Sequence, residues 1–380
     1  MSSNRIIGYD LARALTLLGM LLINFWVMME NNLSDPQWLV STLDLIQGRA
    51  AATFVVLAGV GLSLMSRSAF LNHDATRIRE NRHLIIKRAI FLFILGMLNS
   101  LIWRADILHA YGIYFLIGIC LLTLPSRRLL LLSIIPIAVS SLFMLAVDFD
   151  RGLAFRADTY SACWKSAAMA WDIFFDGLYP VFPWATFLIL GMWLGRQRLC
   201  EPVLRKRILF SGIGVVAFAE CISRIVFHPS ISGLGIFDAD VLLMWFTIEP
   251  WEPMPLFLLS ASGTALIVVS FSISVAQKWG NTKWILPFVS VGQTTLTLYV
   301  AHIIIGSISL KVMKVYEVEP FLFPIWGACV FYISALILCS YWRKSFDKGP
   351  LEWLMRSSLD ISIPLRALRH ARVKLAQPDF

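Results

Sequence analysis

The chain has 380 residues, 58% of them hydrophobic and 15% charged, with a formal net charge of +9. A soluble globular domain carries about 25% charged and about 45–50% apolar residues, so this composition excludes an ordinary soluble protein. The basic excess is gathered in short segments between apolar blocks, which argues against nucleic acid and for a membrane with positive loops on one side.

The apolar blocks are about 20 residues long, the length of a helix that crosses a bilayer. They are rich in Leu, Ile and Phe and lack the alternation of a barrel strand. The predicted spans are 11–29, 46–66, 85–103, 107–124, 129–147, 181–195, 208–227, 255–276, 285–310 and 319–341. The expected fold is therefore all-α: a polytopic integral membrane protein of about ten transmembrane helices in one bundle. Arg5 and Arg13 precede the first apolar run, but Glu30-Asn31-Asn32 follows it without a small-x-small cleavage pattern, so the first span is expected to remain.

With the N-terminus inside, segments 1–13, 66–88, 125–128, 196–207, 277–283 and 342–380 face the cytoplasm and hold 25 of the 33 Lys and Arg residues. Both termini are thus expected in the cytoplasm. Two outer segments are long. In 148–180, Trp164, Trp171, Phe174, Phe175 and Tyr179 recur at near-helical spacing, as in an amphipathic helix on the interface. In 228–254, His228-Pro229, Glu249-Pro250 and Glu252-Pro253 break regular helix. The reading is one membrane domain over 1–380: a five-helix part over 1–147, a C-terminal part over 181–356, and a basic tail over 357–380 expected on the anionic inner leaflet.

Six cysteines, at 120, 163, 200, 221, 329 and 339, form no CxxC pair and read as small buried hydrophobes; no metal is expected. The chemistry must come from polar residues inside the spans, which are costly there and usually face the interior. Asp10 and Arg13 open the first span, and Asn24 lies about 16 Å further along it. Arg49, with Gln47, begins the second span; it either snorkels, pairs with a carboxylate or contacts substrate. Arg104, Asp106 and His109 mark the outer turn between the third and fourth spans. Asp106 and His109 share a helix face, so the carboxylate can hold the imidazole's tautomer, cap the helix, or do both. Thr295, Tyr299 and His302 form one polar stripe on the ninth span. Glu220 stands four residues before Arg224 and is expected to pair with it. There is no Gly-x-Ser-x-Gly elbow, Walker loop or HExxH.

Four stretches resemble a known family: Arg5–Arg13 with Leu18–Asn24, Ala105–Gly112, Val291–Tyr299 leading to His302, and Lys348–Arg356. They are similar to the YeiB-like bacterial inner-membrane proteins, whose C-terminal half carries a domain of unknown function (418). That family in turn looks distantly similar to transmembrane acyltransferases, including the enzyme that acetylates heparan glucosamine. The resemblance implies an acyl-CoA co-substrate at the cytoplasmic face, no bound cofactor, and a small-molecule or glycan acceptor reached through the helices. It implies multi-pass residence in the bacterial cytoplasmic (inner) membrane and leaves homo-oligomerisation open. Related enzymes carry a His on the first span or before the second. This chain has Asn24 and no His there, so His302 or His109 would take that role.

Two functions from different classes are expected. One is acyl transfer, for example of acetyl, to a hydroxyl or amine, with His302 or His109 as general base and Asp106 orienting His109. Asp10, Arg13, Asn24, Arg49, Arg104, Thr295 and Tyr299 would then contact the substrates. The other is a transporter that uses the same residues as a pathway for a small molecule or lipid-linked metabolite.

Overall fold

The computed structural model describes residues 6–29, 36–72, 74–146, 172–227, 245–250, 253–280, 282–315 and 322–360. Most of the expected interfacial helix in 148–180, most of the Pro-broken segment 228–254, and the basic tail beyond residue 360 lie outside them. Among the described residues there is helix and no strand.

In chain order the helices are α1 (Ile7–Met28), α2 (Gln37–Asp44), α3 (Arg49–Leu71), α4 (Ala75–Ser100), α5 (Leu108–Leu121), α6 (Ser126–Leu132), α7 (Ile135–Ala146), α8 (Val181–Leu194), α9 (Pro202–Val226), α10 (Pro255–Trp279), α11 (Leu286–Gln293), α12 (Thr295–Val315), α13 (Phe323–Ser345) and α14 (Pro350–Asp360). Every predicted span has a helical counterpart. Seven helical stretches among the described residues are long and apolar enough to cross a membrane: α1, α2 with α3, α4, α9, α10, α12 and α13. The helices α5 and α8 are apolar but shorter. At 1.5 Å per residue their 14 residues cover about 21 Å, less than the ~30 Å hydrocarbon layer. The expected fifth span is divided into α6 and α7, and the ninth into α11 and α12.

Helix α1 is buried on nearly all sides and packs against α3, α10, α11, α12 and α13. Its apolar residues run around the whole cylinder, which suits a central helix rather than an amphipathic one. The last four partners belong to the C-terminal part of the sequence, so the two parts meet along α1.

Small residues bring backbones into contact where lipid provides no hydrophobic drive. A Cβ on Gly191 of α8 would overlap the Val56 carbonyl of α3, and one on Gly59 would overlap the Leu188 carbonyl in return. Gly292 of α11 lies in the same way against the backbone of Asp10. Gly96 of α4 lies against the backbone nitrogen of His109.

The end of the assembly at which α1 begins is called proximal, and the end at which it finishes distal. The proximal end is tied by Gln293 to Asp10, Arg205 to Ser274, and Lys87 to the Leu359 carbonyl. The distal end gathers the last turns of α1, the α2–α3 turn, the α4–α5 turn, the start of α8 and Pro250 around a common cavity.

Candidate functional site

Three polar clusters occupy the interior. The first joins α1 to α12. Asn24 Nδ2 lies 2.9 Å from His302 Nε2, and both side chains are buried, His302 completely. One face of α12, carrying Tyr299, His302, Ile303 and Gly306, is buried, while Ile304, Ile305 and Ile308 are exposed on the other. The rings of Phe25, Tyr299 and Phe331 surround the imidazole at centroid distances of 6.1, 5.1 and 6.3 Å. An amide N–H that donates to Nε2 leaves the neutral imidazole its proton on Nδ1. That Nδ1 makes no well-formed hydrogen bond among the described residues, but the Leu298 and Tyr299 carbonyls of its own helix face the ring.

The second cluster centres on Asp106, which is 0% exposed. Its Oδ1 accepts from Asn99 Nδ2 at 2.7 Å and from the Tyr299 hydroxyl at 3.2 Å. Its Oδ2 accepts from the Leu108 backbone N–H at 2.8 Å, satisfying a donor in the first turn of α5. The Ile107 N–H donates to the Tyr299 oxygen at 3.3 Å. His109 Nδ1 stands 3.7 Å from Oδ2, close enough to attract but too long for a hydrogen bond. Asp106 thus satisfies the helix start and braces α12 through Tyr299, while His109 sits at its edge with an unpartnered Nδ1 among the described residues.

The third cluster joins α3, α9 and α10. Arg49 donates to Glu220 at 2.6 Å, to Ser260 at 3.1 and 3.3 Å, and to the carbonyls of Asp44 and Leu45 at 3.2 and 3.0 Å. Glu220, expected to pair with Arg224, instead reaches across to Arg49. An interhelical pair places both charges where burial has removed competing water, which an exposed i,i+4 partner on one helix does not.

The remaining expected residues are spread more widely. Asp10 pairs with Arg13 at 2.5 Å and accepts from Gln293 at 3.2 Å, at the proximal end. Asp10 is buried and Arg13 is 27% exposed. Arg104 is exposed in the α4–α5 turn. Thr295 turns its hydroxyl to the Gly292 carbonyl at 3.4 Å, so the polar stripe on α12 narrows to Tyr299 and His302.

Several residues that sequence reasoning passed over contribute here. Asn99 holds Asp106, and Ser260 supports Arg49. Glu352 on α14 accepts from the N–H groups of Leu296 and Thr297, at 2.8 and 3.2 Å, and from the Thr297 hydroxyl at 2.6 Å. It thereby caps the helix that carries His302. The signal for Glu352 lay in the Lys348–Arg356 stretch, whose purpose was not legible without the fold. Asn99, a single amide in an apolar run, gave a weaker signal.

Two cavities open at the distal end. One, of about 40 Å³, is lined by Asn24, Gln47, Trp103, Tyr179, Trp184 and Pro250 among others. The second, of about 360 Å³, is lined by Trp26, Asp44, Arg49 and Glu249, and shares Gln47 and Pro250 with the first. Asn24 therefore connects the smaller cavity to the buried imidazole. No group of three or more His, Cys, Asp or Glu that could hold a metal occurs among the described residues.

The interior of this multi-pass helical protein thus holds an imidazole and a carboxylate, groups that general acid–base chemistry uses. The family comparison points the same way. A family model described as "Heparan-alpha-glucosaminide N-acetyltransferase, catalytic" matches residues 5–211, more than half of the chain. The chain belongs to that family. A second model, "Protein of unknown function (DUF418)", matches residues 236–361 and marks it as YeiB-like. A search of the curated proteins found no match.

Proposed function

We propose that the protein is a membrane-bound acyltransferase that moves an acyl group from cytoplasmic acyl-CoA to a hydroxyl or amine at the distal cavity. The observation that carries this reading is the Asn24–His302 pair, in which Asn24 lines the smaller cavity and the imidazole lies buried behind it, within a chain of the acetyltransferase family. Where related enzymes carry a His on the first span, this chain has Asn24, and α12 supplies the imidazole to that site.

In this reading His302 Nε2 is the general base. Asn24 Nδ2 occupies Nε2 in the resting arrangement and turns to the incoming acceptor, freeing the lone pair to take its proton. The amide then donates to the oxyanion that develops on the thioester carbonyl as the acceptor's new bond to that carbon forms; when it collapses the C–S bond breaks and the coenzyme A thiolate leaves, taking the proton held by His302. Tyr299, held by Asp106, sets the rotation of α12 and so the aim of the imidazole. His109 is the alternative base, with Asp106 as its partner at 3.7 Å.

The proximal end faces the cytoplasm in this proposal, with ten crossings formed by α1, α3, α4, α5, α6 with α7, α8, α9, α10, α11 with α12, and α13. The basic segments then lie on one side in the bacterial inner membrane. Arg13, Lys87 and Arg88 draw in the phosphates of coenzyme A. Arg88 faces Arg356, and its Nε has no partner among the described residues, an arrangement that suits an anion. The thioester arm would run along α1 over the ~16 Å between Arg13 and Asn24.

A transporter would also suit a broken helix, and Thr294 interrupts α11 and α12 with φ −119° and ψ 24°. At this break, however, the N–H groups of Leu296 and Thr297 are capped by Glu352 rather than directed at a pathway. That favours the enzyme.

The test is acetyl-CoA binding to the purified full chain by calorimetry in detergent, with Arg13→Ala alongside. Saturable binding that weakens in the variant is the expected result. Well-folded protein that binds neither acetyl-CoA nor longer acyl-CoAs would discard the donor site and leave transport as the better account.

A further inference from the structure

Helix α14 begins where a span ends. α13 is one of the stretches able to cross a membrane; it finishes at Ser345, and α14 starts at Pro350. Exposed aromatic rings crowd the join. Trp342 and Phe346 stack with centroids 4.3 Å apart, and the Trp342 indole donates to the Lys348 carbonyl at 2.8 Å. Lys344 Nζ stands 4.6 Å from the centre of the Tyr341 ring. Amphipathic rings beside basic residues gather at the lipid–water boundary, at the ends of spans. With 11 residues α14 is about 16 Å long, too short to cross ~30 Å of hydrocarbon, so it stays at that boundary.

The two sides of α14 differ. On one, Leu359 is buried, its carbonyl accepts from Lys87 of α4 at 2.6 Å, and Glu352 reaches α12. On the other, Trp353 is 60% and Leu354 47% exposed, with Arg356 exposed beside them. A helix that faced water would carry polar residues at those positions. Large apolar side chains with a cation next to them fit the headgroup level of a bilayer.

The charge favours an anionic leaflet. Glu352 is turned inward and engaged, and among the exposed charges from 344 to 356, Lys344 and Arg356 outnumber Asp347. Arg88 of α4 stands near enough to repel Arg356 from the protein side, so Arg356 gains from an anion placed outside it. In sequence, residues 361–380 add Arg366, Arg369, Arg372 and Lys374 against Asp379.

The inward side ties this surface to the imidazole. The Glu352 carboxylate accepts from two N–H groups and the Thr297 hydroxyl in the first turn of α12, and the Thr297 oxygen accepts in turn from the Leu351 N–H at 3.0 Å. The first turns of α12 and α14 thus hold each other. Gly349 closes the joint: a Cβ there would strike the Glu352 carboxylate. His302 lies five residues beyond Thr297 on the same helix, about 8 Å away.

We propose that α14 is a membrane-surface helix for anionic phospholipid. Trp353 and Leu354 enter the lipid–water boundary, Arg356 holds a lipid phosphate, and this docking steadies the first turn of α12 and with it His302. The proposal needs neither a donor nor an acceptor and stands apart from acyl transfer.

The experiment is hydrogen exchange, read by mass spectrometry, on the full chain in nanodiscs of phosphatidylcholine alone or mixed with phosphatidylglycerol. The amides of α14 and those of Leu296 and Thr297 should exchange about fivefold more slowly with phosphatidylglycerol, the effect of one basic residue at an anionic surface. Arg356→Ala should abolish that lipid dependence and Arg356→Lys should keep it. Trp353→Ser with Leu354→Ser should speed exchange of both segments by about tenfold in either lipid, while unchanged exchange in α1 and α10 shows that the variant is folded.

Three results would overturn the proposal. Equal exchange in detergent and in both lipids would mean that the chain itself or a second copy covers the face. Slowing by soluble glycerol 3-phosphate in phosphatidylcholine discs would mean a site for free anions. Slowing of α14 alone, with Leu296 and Thr297 unmoved, would break the link to α12.

Discussion

The Arg49 and His302 clusters are both buried, both join helices distant in sequence, and both border the distal cavities, yet they are completed differently. Every side-chain nitrogen of Arg49 has an acceptor: Glu220, Ser260, or the carbonyls at the end of α2. Around His302 and Asp106 the accounts stay open. Nδ1 of His109 and Oδ1 of Asn99 make no hydrogen bond among the described residues, and Nδ1 of His302 makes no well-formed one, with only the carbonyls of Leu298 and Tyr299 on its own helix close to the ring. Buried polar groups are paired in the great majority of cases, so a saturated cluster reads as a strut and an unsaturated one as a place where chemistry or a ligand completes the set. The contrast also separates two outcomes of mutation: loss of the strut should cost stability, and loss of the open cluster should cost rate.

The largest expected effect is at His302. General acid–base groups contribute about 10²–10⁴-fold, so His302→Gln should lower acyl transfer by that factor. The substitution keeps a polar group near Asn24, and the thermal midpoint in detergent should move little. If rate survives and stability falls instead, the open cluster is a strut after all and His109 becomes the base to test.

Next comes Arg49→Ala. Removal of one partner of a buried ion pair costs about 3–5 kcal/mol when the other charge is left behind. Glu220 is 18% exposed, so the lower end of that range is expected. Equilibrium unfolding in mixed micelles would measure it. The double variant Arg49→Met with Glu220→Leu should regain most of the loss, because no uncompensated charge remains. Failure to regain it would mean that Arg49 acts through α2 or a ligand rather than through the pair.

Gly191→Val probes the frame that both clusters share. A Cβ at this position would overlap the Val56 carbonyl, so α3 and α8 must separate. Overpacking costs about 1–3 kcal/mol, read as a lowered unfolding midpoint. Gly61 provides the control, since nothing lies within reach of a Cβ there. Gly61→Ala should be neutral or slightly stabilising.

The helices were legible because apolar length is a direct consequence of the bilayer. Each predicted span falls on helix, seven of the described stretches being long and apolar enough to cross a membrane, and His302, Tyr299, Asp106 and Asn24 stood out as polar groups in apolar runs. Partnership was much less legible. Nothing local tells that Glu220 lies beside Arg49, 171 positions away, rather than beside Arg224. Nor does the sequence state that Asn24 meets His302 across 278 positions. The stripe of Thr295, Tyr299 and His302 followed helical spacing, but the break at Thr294 placed Thr295 at the helix start, where its hydroxyl turns to Gly292. Long-range pairing is a property of the packed whole, whereas periodicity belongs to one element.

The smallest effect tests whether the distal contrast extends to the proximal end. Glu352 has three donors and no role in the proposed chemistry, so by the same reasoning it is a strut. Its carboxylate sits at the first turn of α12, where the helix dipole favours negative charge. Glu352→Ala should cost about 1 kcal/mol, as for loss of a helix cap, and Glu352→Gln should restore part of it through the remaining carbonyl acceptor. Because α12 carries both Tyr299 and His302, a frayed start would also let the imidazole wander. Any fall in turnover should then track the fall in stability and be rescued by the same glutamine. A drop in turnover with stability unchanged would instead give Glu352 a part in the chemistry, and the saturation of a cluster would no longer tell strut from site.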